Sequence, residues 1–195
     1  MTHPVDIRWE ESNRRMKCKG QDLREFKEFW ERVHAKQPKA YLEIGSNEGR
    51  SLWLIQDALA PRAVIVSLDV HAVSATHKIP LEDTFAPLRE SGFIVMSVIA
   101  DSTNPTTVGR VQRALGFGGT VDLLFIDADH SYAAVKADYE LYRPLVSRGG
   151  MIAFHDIAHR FWGASRLWNE IKEDVPAQCS EHVYTTGMGI GVIQC

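Results

Sequence analysis

Tyr41-Leu42-Glu43-Ile44-Gly45-Ser46-Asn47-Glu48-Gly49-Arg50-Ser51 is the stretch on which the fold turns. A short apolar run, Ala40 to Ile44, ends in two glycines four residues apart. The helical pattern of Ser51 to Ala60 follows at once and is stopped by Pro61. This is a strand, a tight turn and a helix. Gly45 lets the backbone come close to a ligand, and Gly49 clears the helix start of a side chain. A dinucleotide turn would place a third glycine where Asn47 stands. Glu48 also adds negative charge where a pyrophosphate would lie. The turn therefore suits a cationic or zwitterionic ligand better than a polyphosphate.

Outward from this turn the same alternation repeats. Ala63–Val70, Phe93–Ala100, Val121–Ile126 and Met151–Phe154 read as strands. Leu81–Glu90, Thr106–Leu115, a segment capped by Ser131 and about Phe161–Glu173 read as helices. Pro87 counts against the first of these helices. The final runs, near His182–Thr185 and Gly189–Ile193, are joined too tightly for a crossover helix and should form an antiparallel edge hairpin. Strands apolar on both faces and separated by helices imply an α/β fold. The expected architecture is a doubly wound Rossmann-like sheet of about seven strands, mostly parallel, with an antiparallel C-terminal hairpin strand. The chain reads as one domain over residues 1–195. Residues 1–38 form an N-terminal extension with one helix at Gln21–Lys36, preceded by a loosely ordered polar segment.

Composition narrows the function. With 195 residues, 45% of them hydrophobic, the chain can bury one core. A net charge of −3 offers no basic footprint for nucleic acid or an anionic membrane. The N-terminus has no signal-peptide pattern, and no apolar run approaches the roughly 18 residues that span a bilayer. Cys18, Cys179 and Cys195 lack metal-type spacing and read as reduced thiols of a cytoplasmic protein.

In such sheets ligands bind beyond the carboxyl ends of the strands. Five consecutive strand ends carry acids: Glu43, Asp69, Asp101, the run Asp127-Ala128-Asp129-His130, and His155-Asp156. Unpaired buried carboxylates are costly, so acids at five successive tips point to a site rather than to stability. Asp69 can accept hydrogen bonds from two ribose hydroxyls, or be an ordinary strand-end acid. Asp101-Ser102 can meet an adenine amino group, or cap the helix that follows.

These motifs carry a resemblance. Glu43-x-Gly45-x3-Gly49, Asp69, Asp101, Phe125-Ile126-Asp127-Ala128-Asp129-His130-Ser131-Tyr132 and Gly149-Gly150-Met151-Ile152-Ala153-Phe154-His155-Asp156 resemble class I S-adenosylmethionine-dependent methyltransferases. Within these the chain is most similar to the small O-methyltransferase-like group, which is similar to cephalosporin-hydroxylase-like and macrolide-sugar O-methyltransferases and, more distantly, to catechol and caffeoyl-CoA O-methyltransferases. The match runs from about Tyr41 to Ile193. It implies that Glu43, Gly45, Ser46, Asn47, Gly49, Ser51, Asp69, Asp101, Ser102 and Asp127 hold S-adenosylmethionine. It also implies O-methylation of a small hydroxylated acceptor.

In the same relatives a divalent ion is held by an acid after the fourth strand and an adjacent pair after the fifth. The matching positions are Asp127, His155 and Asp156, for Mg²⁺ or Mn²⁺. The departure is His155, where the relatives carry an acid. Imidazole suits Mn²⁺, Fe²⁺ or Zn²⁺ better than Mg²⁺, so the metal differs, His155 turns away, or no metal binds. His130 matches the catalytic histidine of the macrolide-sugar enzymes. With Asp127 it is the candidate catalytic pair, and a histidine near neutral pKa suits removal of a hydroxyl proton. His159 and the Phe161-Trp162 pair can wall the acceptor pocket, and His71 and His77 lie in a lid-like loop. With short loops, that pocket is either open to a large acceptor or completed by a second subunit in a homo-oligomer. The competing readings are a metal-dependent hydrolase using Asp127, His155 and Asp156, and a non-catalytic S-adenosylmethionine-binding module.

Overall fold

The computed structural model describes residues 2–17, 20–72, 80–116, 118–175 and 179–194. His77, Cys18 and Cys195 fall outside them. The strands are β1 (Ala40–Ile44), β2 (Val64–Asp69), β3 (Ile94–Ile99), β4 (Val121–Ile126), β5 (Val146–His155), β6 (Ser180–Tyr184) and β7 (Ile190–Gln194). They form one sheet in the order β3-β2-β1-β4-β5-β7-β6. β1 to β5 run parallel, while β7 pairs antiparallel with both β5 and β6. Chain order reverses between β1 and β4, and their carboxyl ends diverge there to leave a crevice.

Helices α1 (Pro4–Arg15), α2 (Leu23–Lys36), α3 (Arg50–Ile55), α4 (Glu82–Glu90), α5 (Pro105–Leu115), α6 (Tyr132–Tyr142) and α7 (Gly163–Glu173) cover both faces. One core joins Phe26, Phe29, Trp30 and Val33 of α2 to Leu52, Leu54, Phe85 and Phe125. The other joins Val111, Val135, Tyr142, Leu167 and Trp168 to Leu42, Leu124 and Phe154. Packing from both sides explains why β1 and β4 are apolar apart from Glu43 and Asp122.

Three expectations need correction. The N-terminal segment is not loosely ordered. Residues Pro4–Arg15 form α1, started by Pro4 and by His3, whose Nδ1 accepts from Val5 N. Its apolar stripe is thin, with Val5 the buried apolar residue. The helix is held instead by charge and aromatic contacts: Arg8 pairs with Asp57, and the Arg15 and Arg50 guanidinium groups lie 4.4 and 4.3 Å from the Trp53 and Trp9 rings. Gly149 and Gly150 do not precede β5. They lie inside a longer strand that begins at Val146, with a register shift against β4 between Val121 and Leu123. The cysteines are not all reduced, because Cys179 is disulfide-bonded. Pro87 lies within α4 without ending it, since Phe85 and Leu88 are buried and hold the helix to the sheet. No helix among the described residues is long and apolar enough to cross a membrane.

Candidate functional site

A cavity of about 1070 Å³ opens beyond the carboxyl ends of β1 to β5. Gly45, Ser46, Asn47, Ser51, Asp69, Asp101, Ser102, Asp127, His130, His155 and Asp156 all line it. Eleven of the thirteen residues singled out from the sequence thus surround one space.

Glu43 and Gly49 do not line it. Glu43 is fully buried beneath the turn, where its carboxylate accepts from Tyr41 OH at 2.5 Å and Ser51 Oγ at 2.7 Å. Burial pushes the Glu43 carboxyl up to about 8, against the pull of those two hydrogen bonds. Gly49 has φ 76°, and a Cβ there would lie 2.8 Å from Thr84 Cγ2. Gly45 is at the cavity edge, but its own missing side chain makes room for protein. A Cβ there would lie 2.2 Å from the Asp127 carbonyl oxygen. Gly45 lets the Asp127 backbone close in and Gly49 the Thr84 side chain, so the turn is shaped by packing before any ligand arrives.

Asp69 receives Asn47 N and His71 N, each at 2.9 Å, which orients its carboxylate at the cavity rim. Asp101 is held within its own turn by Thr103 N and Oγ1, while Asn104 caps α5. The Oδ1 of Asn47 and the Oε1 of Gln21 are buried without a hydrogen-bond partner. Gln21 and Gly20 line the cavity from the N-terminal side, where Gln21 Nε2 donates to Asp127 Oδ2 at 3.1 Å. Lys17 N likewise donates to Glu48 Oε2. These N-terminal contributions had no signal in the sequence, because they come from a polar link with no motif.

The other end of the cavity is a cluster of acids and histidines. Asp127, His155 and Asp156 offer ligand atoms within 4.8 Å of one another. His155 Nδ1 lies 2.9 Å from Asp156 Oδ1 and 3.3 Å from Asp127 Oδ1. His155 is 4% exposed, and burial opposes its charge. The two carboxylates outweigh that and push the imidazole up to about 11. Asp156 also contacts His130 Nδ1 at 3.0 Å through its other oxygen. Asp156 adopts φ 65°, in the left-handed region that aspartate tolerates better than most residues, and this conformation serves both histidines. Burial would raise the Asp156 carboxyl, but its contacts to His130 and His155 hold it below the usual range. His130 is raised by its Asp156 contact against the effect of burial.

His130 is also fixed from the side. Its ring stacks on Trp162 with centroids 4.1 Å apart, and Trp162 stacks in turn on His159 at 4.1 Å. Gly163 N donates to the His130 carbonyl, and a Cβ on Gly163 would fall 2.0 Å from Tyr132 N. Trp162 thus stacks on two imidazoles and lines the cavity, as expected. Phe161 beside it is 78% exposed and makes no wall of the cavity, contrary to expectation.

Residues 42–157, more than half of the chain, match the family described as a methyltransferase domain. The chain belongs to that family. The methyltransferase domain is 28% identical over 169 residues to the uncharacterized protein y4gI of Sinorhizobium fredii, covering 80% of this chain and 17% of that protein. It is 39% identical over 59 residues to the uncharacterized protein R132 of Acanthamoeba polyphaga mimivirus, covering 29% and 27%. The matched part is therefore a minor portion of both curated relatives. Among solved structures, it superposes on the O-methyltransferase TomG of Streptomyces achromogenes, solved with S-adenosylmethionine, with a TM-score of 0.70 at 15% identity, covering 100% and 90% of the two chains. The Bacillus cereus O-methyltransferase solved with S-adenosylhomocysteine gives 0.69 at 16%, covering 100% and 91%. A Podospora anserina methyltransferase, also bound to S-adenosylhomocysteine, gives 0.61 at 18%, covering 99% and 88%. At these identities the likeness establishes the fold, in agreement with the mixed seven-strand sheet.

Proposed function

We propose that this methyltransferase domain moves a methyl group from S-adenosylmethionine to a hydroxyl oxygen of a small acceptor. The observation that carries the reading is one cavity with two chemically distinct ends. At the end beside the turn after β1, Asn47 lines the cavity together with the carboxylates of Asp69 and Asp101. That end suits a ligand rich in hydrogen-bond donors and carrying positive charge, such as the ammonium and ribose hydroxyls of S-adenosylmethionine. Asp69 takes the ribose hydroxyls, and Asp101 with Ser102 takes the adenine edge. At the other end stands a histidine braced by a carboxylate, the arrangement of a general base.

In the reaction, His130 Nε2 takes the proton of the acceptor hydroxyl. The oxygen lone pair then forms the new C–O bond as the carbon–sulfur bond breaks, leaving S-adenosylhomocysteine. Positioning supplies much of the rate in such an in-line displacement. Asp127, His155 and Asp156 fit a divalent ion, since one nitrogen and two oxygen donors converge at ligand-to-ligand spacing. The mixed donor set favours Mn²⁺, Fe²⁺ or Zn²⁺ over Mg²⁺. A bound ion would hold the acceptor oxygen and lower its pKa.

The cytoplasmic location and second subunit expected from the sequence belong to this same reading. The Cys179 disulfide weighs against the first of them. Calorimetric titration with S-adenosylmethionine and S-adenosylhomocysteine, with and without Mn²⁺, tests the proposal. Micromolar binding of both is expected. Binding of Mn²⁺ with neither nucleoside would favour a metal-dependent hydrolase instead.

A further inference from the structure

The second helix, α2, places a buried acid directly behind the metal-type cluster. Glu25 has no exposed surface, and its Oε2 accepts from Gly187 N and Gly189 N, both at 3.0 Å. Its Oε1 is buried with no hydrogen-bond partner and lies 3.8 Å from His155 Nε2, which is equally buried and unpartnered. The opposite ring nitrogen, Nδ1, faces Asp127 and Asp156. The imidazole is thus set between two carboxylates on one side and a third behind it.

We infer that Glu25 is a positioning residue that orients His155 as a metal ligand. The inference rests on the divalent-ion reading of the cluster. A histidine that ligates through one nitrogen commonly gives the proton on its other nitrogen to a carboxylate, which fixes both tautomer and ring orientation. Here Glu25 Oε1 receives the Nε2 proton and leaves the Nδ1 lone pair to the ion. At 3.8 Å the pair is longer than a hydrogen bond, and a ring movement of about 1 Å closes it. Closing it also satisfies two buried polar atoms that otherwise carry a desolvation cost. The same carboxylate clamps Gly187 and Gly189 around Met188, which lines the cavity, so α2 ties the ligand ring and the β6–β7 turn to one anchor.

Glu25→Gln tests the inference at nearly constant volume. The new amide oxygen can serve Gly187 and Gly189, which turns the amide NH₂ toward His155 Nε2. The ring then accepts at Nε2 and carries its proton on Nδ1, where the ion would bind. Mn²⁺ affinity, measured by calorimetry on the full chain, is expected to fall about 10- to 100-fold, with circular dichroism and thermal unfolding unchanged. In a His155→Asn background the same Glu25→Gln change is expected to have no effect, because no tautomer remains to be set. Equal Mn²⁺ affinity of wild type and Glu25→Gln would overturn the inference and leave the metal site standing. An equal loss in the His155→Asn background would overturn it in favour of a purely structural role. A wild-type protein that binds no Mn²⁺ would overturn the metal site and this inference together. Should Glu25→Gln unfold, Glu25→Asp keeps a carboxylate for the glycines but draws back from His155, and it carries the same comparison.

Discussion

His130 and Asp156 form a pair in which the carboxylate Oδ2 meets the imidazole Nδ1 at 3.0 Å, while the other carboxylate oxygen holds His155. One aspartate therefore links the proposed base to the metal-type cluster. His130→Gln is expected to lower methyl transfer by about 10²- to 10⁴-fold for any acceptor the wild type accepts. Transfer of labelled methyl to a panel of small hydroxylated compounds measures this. A variant that retains full transfer would remove His130 from the mechanism.

Asp69 is expected to govern cofactor affinity. Its carboxylate is already oriented by two backbone N–H groups, so replacing it loses charge-assisted bonds and leaves those donors unserved. Asp69→Ala should weaken S-adenosylhomocysteine by about 100-fold, at roughly 1.5–3 kcal/mol per charged hydrogen bond. Calorimetric titration reads the change directly.

Gly45→Ala is expected to disrupt the turn itself. The glycine has φ 91°, and an added Cβ would collide with the Asp127 carbonyl. Backbone strain alone is worth about 1–3 kcal/mol, and the clash adds to it. Chemical denaturation should show a loss at or above that range, together with loss of S-adenosylhomocysteine binding.

Glu43 gives a prediction with a definite pH sign. Its carboxyl rises from 4.5 to about 8 on folding, so the folded chain holds a proton that the unfolded chain releases. That contribution is fully present below about pH 4.5 and is lost as pH rises toward about 8. Glu43→Gln keeps the uncharged form at every pH. Its melting temperature relative to wild type should climb between pH 4.5 and 8 and level off above. A difference independent of pH would show that Glu43 folds ionised.

Much of the site was legible because strand ends are marked by both pattern and chemistry. The runs before Glu43, Asp69, Asp101, Asp127 and His155 are mostly apolar and alternate with helices, as parallel strands of one sheet do. Their acids therefore gather at one end, even though β3 is an exposed edge strand. The motif glycines were legible in part. The pattern points to Gly45 and Gly49 as a ligand approach and a helix start, and in the fold their missing side chains also make room for Asp127 and Thr84. Sequence shows that a side chain is missing, not what fills the gap. Gln21 and Glu25 were invisible for a different reason. Each meets its partner across more than 100 residues of chain, and a lone polar residue near a helix start reads as an ordinary solvated one. The helix α1 escaped because cation–aromatic contacts hold it, and these leave no periodic trace.

The packing of α2 bears on where this domain can be cut. Phe26, Phe29, Trp30 and Val33 are core residues, yet all of them precede the family's matched region, residues 42–157. β7, which closes the sheet against β5, follows it. A fragment limited to the shared region would bare the part of its core that α2 covers and an open strand edge, inviting aggregation rather than autonomous folding. The region matched by the family is narrower than the packed unit. Grafts or fusions should therefore be joined outside α1 and β7.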